Sequence, residues 1–175
     1  MAKKRKIIKN KSAKAKPVKK SKFNWKVFLL SFIIVIFVAY LGSVFTSQGT
    51  GSAWYQQIKP SITPPNFVFP IAWTILFVLI ALALYLTWTK AEEDDKPRIA
   101  WIYGFNLIFN VLWSLLFFAL RNPLFAFIEI IAMEISIIFM MILSWRISKA
   151  AAWMLLPYLL WVAFAAILTG LVAFA

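Results

Sequence analysis

The sequence predicts an all-α integral membrane protein, a bundle of five transmembrane helices with a long structured loop between the first and second. Three observations predict it. Of the 175 residues, 63% are hydrophobic and 14% charged, against about 45–50% apolar and about 25% charged in soluble domains. The apolar residues gather into five runs, about 27–45, 67–89, 99–120, 124–144 and 152–174, each near the ~20 residues that cross ~30 Å of hydrocarbon. The segments between the runs collect most of the charged residues and most of the prolines.

Residues 1–26 read as a disordered Lys-rich tail, and 27–175 as the membrane domain. The tail holds twelve Lys or Arg and no acid, while the other 149 residues hold seven basic and six acidic groups. Such a Lys/Ala/Ser/Pro stretch cannot bury enough apolar surface to fold alone. It either enforces topology or holds anionic lipid headgroups, at about 1 kcal/mol per basic group near the surface. Nucleic acid is the disfavoured partner, because aromatics are not interleaved with the basic residues as in a base-stacking module.

The first run is too long for the apolar core of a signal peptide and reads as span one. Backbone polar groups cannot stay unpaired in lipid, so every span must be helical. Arg121-Asn122-Pro123 makes a very tight turn and 145–151 a short one, so spans three, four and five are antiparallel neighbours. The 90–98 connection is polar and ends with Pro97 near the start of span three, where proline is tolerated. Pro70 and Pro157 fall inside spans and predict local bends.

Lys and Arg set orientation. With the N-terminus inside, seventeen lie on the inner side (the tail, 90–98 and 145–151) and two, Lys59 and Arg121, on the outer. A cytoplasmic N-terminus and a C-terminus on the opposite side are expected.

The 46–66 connection is about 21 residues, far beyond the usual few. Gly49-Thr50-Gly51-Ser52 reads as flexible, but Trp54, Tyr55, Ile58, Pro60, Ile62, Pro64 and Pro65 follow. Prolines stiffen the chain, and apolar groups at a membrane surface seek burial. A lid over the outer mouth of the bundle satisfies both. An interfacial aromatic belt, which needs no ligand, is the alternative.

Within the spans, Asn106, Asn110, Trp113 and Phe117 share one helical face. Carboxamides at membrane depth must face protein, ligand or water. Bonding between helices and lining a pocket both fit, and Trp113 on the same stripe favours the pocket. Small Ala165, one turn from Trp161, leaves a notch beside an indole, and Trp73 lies one turn beyond Phe69 beneath the lid. Glu129 and Glu134 are about 140° apart around their helix, which weakens a proton-relay pair. Glu129 is expected inward as a polar helix contact, with a hydroxyl, amide or Arg partner. Ala100 and Gly104, like Ala166 and Gly170, are small-xxx-small pairs suited to helix association.

With no Cys there is neither disulfide nor thiolate chemistry, and with no His there is no imidazole base or ligand. No metal site is expected, and recognition is favoured over proton-transfer catalysis.

Trp54-Tyr55, Lys59-Pro60, Pro64-Pro65, and Trp73 with Leu76-Phe77 resemble the first-loop and second-span signature of the TspO/MBR family. Asn110-Val-Leu-Trp113 with Leu116-Phe117-Phe118 continues the resemblance in span three, Ala126 and Glu129 in span four, and Pro157-Tyr158 with Trp161, Phe164 and Ala165 in span five. The matches are colinear over about 27–175. Ile62 stands where Trp is usual, Phe77 where Tyr is usual, and Thr169 where Asn is common.

The resemblance implies a receptor- or sensor-like protein for tetrapyrroles, protoporphyrin IX and haem, and for similar flat apolar drugs. It also implies a homodimer, for which Ala100 and Gly104 are candidate contacts. The lining residues expected are Trp54, Tyr55, Lys59, Pro64, Phe69, Trp73, Asn106, Asn110, Trp113, Trp161 and Ala165, with Lys59 a partner for a propionate. No cofactor is obligatory; porphyrin or haem is the ligand. Two alternatives stay open: light- and oxygen-dependent porphyrin degradation, with Trp73 and Trp161 taking part, and transport of porphyrin or sterol-like molecules.

Overall fold

A computed structural model describes residues 23–175. The readings of the tail as a topology arm or lipid anchor fall on 1–22 and so lie outside the described residues. Residues 23–26 already belong to the folded part: Phe23 packs on Phe28 and Tyr85, and the Asn24 side chain caps the first helix at Val27 N.

The described chain is helical throughout, with no strand. The helices are α1 (Trp25–Thr50), α2 (Ala53–Ile58), α3 (Val68–Lys90), α4 (Lys96–Ser114), α5 (Pro123–Ile147) and α6 (Lys149–Ala173). A 3₁₀ turn, Glu93–Asp95, leads into α4, and a π-helical turn, Leu115–Ala119, prolongs it. All except α2 belong to five segments long and apolar enough to span a membrane.

Helix ends follow local chemistry. Pro97 and Pro123 sit in the first turns of α4 and α5, where an N–H has no intrahelical partner to lose. Asn122 caps α5 by accepting from Phe125 N at 3.2 Å. Among the described residues Arg121, between the π turn and that cap, is the non-glycine residue with positive φ, 49°, a conformation that costs roughly 1–2 kcal/mol. Pro70 falls near the start of α3 rather than inside it. It lies in the first turn, so it breaks no helical bond. Pro157 is inside α6, which continues through it.

Two expected boundaries move. Span one runs to Thr50 rather than 45, because Gly49 is buried in the helix instead of lying in a flexible loop. A Cβ on Gly49 would collide with the Phe118 ring; only glycine allows the π turn to come so close. The 145–151 connection shrinks to Ser148, an extended residue between α5 and α6.

The five spans form a closed ring in the order α1, α3, α6, α5, α4 and back to α1. Outward faces are apolar and exposed, as at Ile33, Ile75, Trp101, Ile128 and Leu160, which suits lipid contact. The interior at the 91–95 end is tightly filled by Ile80, Ala83, Ile99, Tyr103, Ile137, Met140 and Leu155, each no more than 1% exposed. There Tyr103, Ser144 and Thr87 hydrogen-bond one another across three helices, at 2.9–3.4 Å. The opposite end is not filled.

Gly49→Val should lower the unfolding midpoint in detergent by several degrees, the consequence of forcing a methyl-bearing carbon into Phe118. Gly51→Ala should leave it unchanged, since a Cβ there meets nothing within 4 Å and φ is −87°. Equal midpoints for the two variants would contradict this packing.

Candidate ligand site

The unfilled end of the ring is a cavity of about 350 Å³, walled by all five spanning helices and roofed by the 51–67 segment. That size falls low in the range of small-molecule pockets, about 300–1,000 Å³. Its surface is mainly apolar. Three indoles, Trp73, Trp113 and Trp161, contribute from α3, α4 and α6, with Phe69, Phe77 and Phe117 between them.

The roof is held by aromatic packing. Ser52 caps α2 by accepting from Tyr55 N, which turns Tyr55 inward. The Tyr55 ring meets Phe117 and Phe118 edge-on, at centroid distances of 6.3 and 5.5 Å, and Trp54 meets Phe117 at 5.7 Å. Phe117 itself stacks on Trp113 at 5.2 Å and 14°. Consecutive residues of an ordinary α-helix diverge by about 100°. The π turn lets Phe117 and Phe118 both be buried, and such turns recur at functional sites. Arg121 places its guanidinium 5.8 Å from the Trp54 ring centre. Burial raises the pKa of the Tyr55 phenol above its usual 10.0, so the roof carries no phenolate at physiological pH.

Of the expected lining residues, Tyr55, Phe69, Trp73, Asn110, Trp113, Trp161 and Ala165 reach the cavity. Trp54 supports the roof from behind, through Phe117. Lys59 is exposed and off the wall, although Pro60 beside it is on the wall. Pro64 is half-buried in the roof, also off the wall. The two amides of one stripe divide their work. Asn110 lines the cavity, whereas Asn106 is wholly buried behind it, bonded to Ser136 and Tyr158. Asn106 is thus glue between helices, bonded to α5 through Ser136 and to α6 through Tyr158.

Glu129 does point inward, at 7% exposure, but the expected partner is absent: neither carboxyl oxygen has one among the described residues. The amide N–H groups of Asn106 and Asn110 are given to Ser136 and Tyr158. Glu134 also has a buried unpartnered oxygen, Oε2. Ala100 is exposed, and Gly104 has open space where a Cβ would stand.

Sequence reasoning missed the contribution of α1. Ala39, Gly42, Ser43, Thr46, Ser47 and Thr50 line the cavity on one small, weakly polar face. Their spacing, every third or fourth residue in an otherwise bulky span, was the available signal. Ile130 and Met133 of α5, and Leu168 and Thr169 of α6, complete the wall. Their periodicity is that of ordinary core residues and distinguishes nothing.

The profile of the TspO/MBR family matches residues 31–174. The chain is similar to the tryptophan-rich protein TspO of Archaeoglobus fulgidus, 40% identical over 139 residues, 79% of this chain and 89% of that one. It is 31% identical over 133 residues to the translocator protein of Ovis aries, covering 74% of this chain and 78% of that one. A tryptophan-rich sensory protein of Cereibacter sphaeroides is 29% identical over 132 residues, 72% of this chain and 82% of its own.

Tyr55→Ala should loosen the roof. Amide exchange over 53–66 should quicken by about tenfold or more, as expected for an aromatic anchor worth a few kcal/mol. Ile62→Ala, at a side chain 54% exposed, should leave exchange as in the wild type. Equal rates in both variants would remove Tyr55 as the anchor.

Proposed function

The chain belongs to the TspO/MBR family and is an integral multi-pass membrane protein; on that premise we propose that it is a receptor-like sensor, binding tetrapyrroles such as protoporphyrin IX, and similar flat apolar molecules, in the roofed cavity. The observation that carries this reading is the convergence of three indoles from three helices on one cavity. Indole faces stack on planar apolar guests, and an apolar cavity under a roof removes such a guest from water.

The polar groups fit the same reading. The Nε1 atoms of Trp113 and Trp161 are buried without an acceptor among the described residues. An unmet buried donor costs about 1–3 kcal/mol, so a guest that brings an acceptor against either indole, with a small ring movement, relieves it. Because Lys59 is off the wall, a propionate that meets it must extend through the roof. Haem would be held by its faces and edges, since the chain has no His or Cys for a strong axial bond.

Binding is favoured over permeation because the cavity is blind: the far half of the ring is packed by Tyr103, Ile137 and Met140. In the orientation set by Lys and Arg, the roof faces away from the cytoplasm.

Titration with protoporphyrin IX should quench tryptophan fluorescence saturably in the wild type. In Trp161→Ala the midpoint should rise by about tenfold, the loss of one aromatic contact of roughly 1.4 kcal/mol. A quench of equal size and midpoint in both proteins would remove Trp161 from the site.

A further inference from the structure

The end of the ring opposite the roof carries a second feature, on the lipid-facing surface. Between the last turns of α5 and the first turns of α6 runs an open groove of about 280 Å³, lined by Met141, Ile142, Trp145, Arg146 and Ala152. Ile142 and Trp145 are 49% and 47% exposed, so the groove faces out of the bundle rather than into it. Trp153 of α6 meets Trp145 edge-on at 6.0 Å, and Lys149 Nζ stands 5.5 Å from the centre of the Trp145 ring.

Positive charge is left over at this joint. The 91–95 connection is acidic, but its Glu93 and Asp95 pair with Lys96 and Arg98. Neither Arg146 nor Lys149 has a carboxylate within 4 Å among the described residues. Lys90 reaches the same joint, donating to Ser148 Oγ at 3.1 Å. No side chain caps α6, so its first-turn N–H groups add to the positive potential.

The groove also has a direction. Met141 and Ile142 lie about one helical turn deeper than Arg146, and Ile138 and Ile135 continue the same exposed apolar face. Cations at the interface and hydrocarbon below them follow the order of groups in a phospholipid. A soluble anion would have no use for the apolar wall. A plain aromatic belt needs only indoles at the interface. Trp25 with Lys26 and Trp88 with Lys96 are belt pairs of that kind; neither lines this groove, and Lys96 already holds Glu93.

We propose that the α5–α6 joint is a site for an anionic glycerophospholipid, its phosphate held by Arg146 and Lys149 and the upper part of one acyl chain lying against Met141, Ile142 and Trp145. A zwitterionic headgroup brings an ammonium that these cations repel, so an anionic headgroup is preferred. The site is separate from the Lys-rich tail, which acts on lipid only as a diffuse charge.

Native mass spectrometry of the full chain in detergent tests this. Titration with dioleoyl phosphatidylglycerol and dioleoyl phosphatidylcholine, at one fixed salt concentration, reads the affinity for the first bound lipid. The wild type should prefer the glycerol lipid by about tenfold. Arg146→Gln with Lys149→Gln should reduce that preference to about twofold or less. Lys19→Gln with Lys20→Gln removes the same charge from the tail and should leave the wild-type ratio. An unchanged unfolding midpoint without lipid shows that a variant is folded. If the groove variant is not, Lys149→Gln alone decides, with the ratio lowered by about threefold. No preference in the wild type, the same preference in the groove variant, or an equal fall in the tail variant overturns the proposal. So does a lipid-free dimer that Trp145→Ala separates, since a second copy would then fill the groove. The cavity lies at the other end of the ring, so protoporphyrin quenching stands or falls separately.

Discussion

The close fit of Gly49 against Phe118 is the contact on which the ligand end of the molecule depends. Inside a bilayer, apolar side chains gain little by leaving lipid for protein, so helices associate where small residues admit large ones and where polar groups find partners. Gly49 admits the π turn, and the π turn buries Phe117 and Phe118 together. Those rings receive Tyr55 and Trp54, and so the roof is closed. The αL conformation of Arg121 is the strain that accompanies this sharp return into α5.

The two ends of the ring solve the same problem differently. At the 91–95 end, Tyr103, Thr87 and Ser144 satisfy one another and the remaining volume is filled by aliphatic side chains. At the roofed end, aromatic residues prop the helices apart, and small residues of α1 face the gap they leave. A rigid wall of indoles loses little conformational entropy on binding, since each ring has only two side-chain torsions. The polar chain from Ser136 to Asn110 ties α4, α5 and α6 together between the halves.

Much of this was legible in the sequence. Five spans follow from run length, because ~30 Å of hydrocarbon demands ~20 apolar residues whatever the fold. The roof followed from prolines and aromatics placed where a plain linker needs neither. Trp73, Trp113 and Trp161 were identified by their matches to the family signature, and all three line the cavity. The wall supplied by α1 was harder to see, because a stripe of Gly, Ser and Thr looks the same whether it faces a helix or a void. Glu129 was legible as inward, but its lack of a partner was not.

By itself, the sequence determined the number of spans, the helical state of each, the tight 121–123 return and the family, since each rests on local composition, spacing or motif. Only the tertiary structure decided that Gly49 is helix rather than flexible loop, that Asn110 lines the cavity while Asn106 is buried off its wall, and that Lys59 lies off the wall. These depend on which side chain of another helix arrives first at the same space. Periodicity places a residue on a face of its own helix, and it carries no information about the neighbour that meets that face.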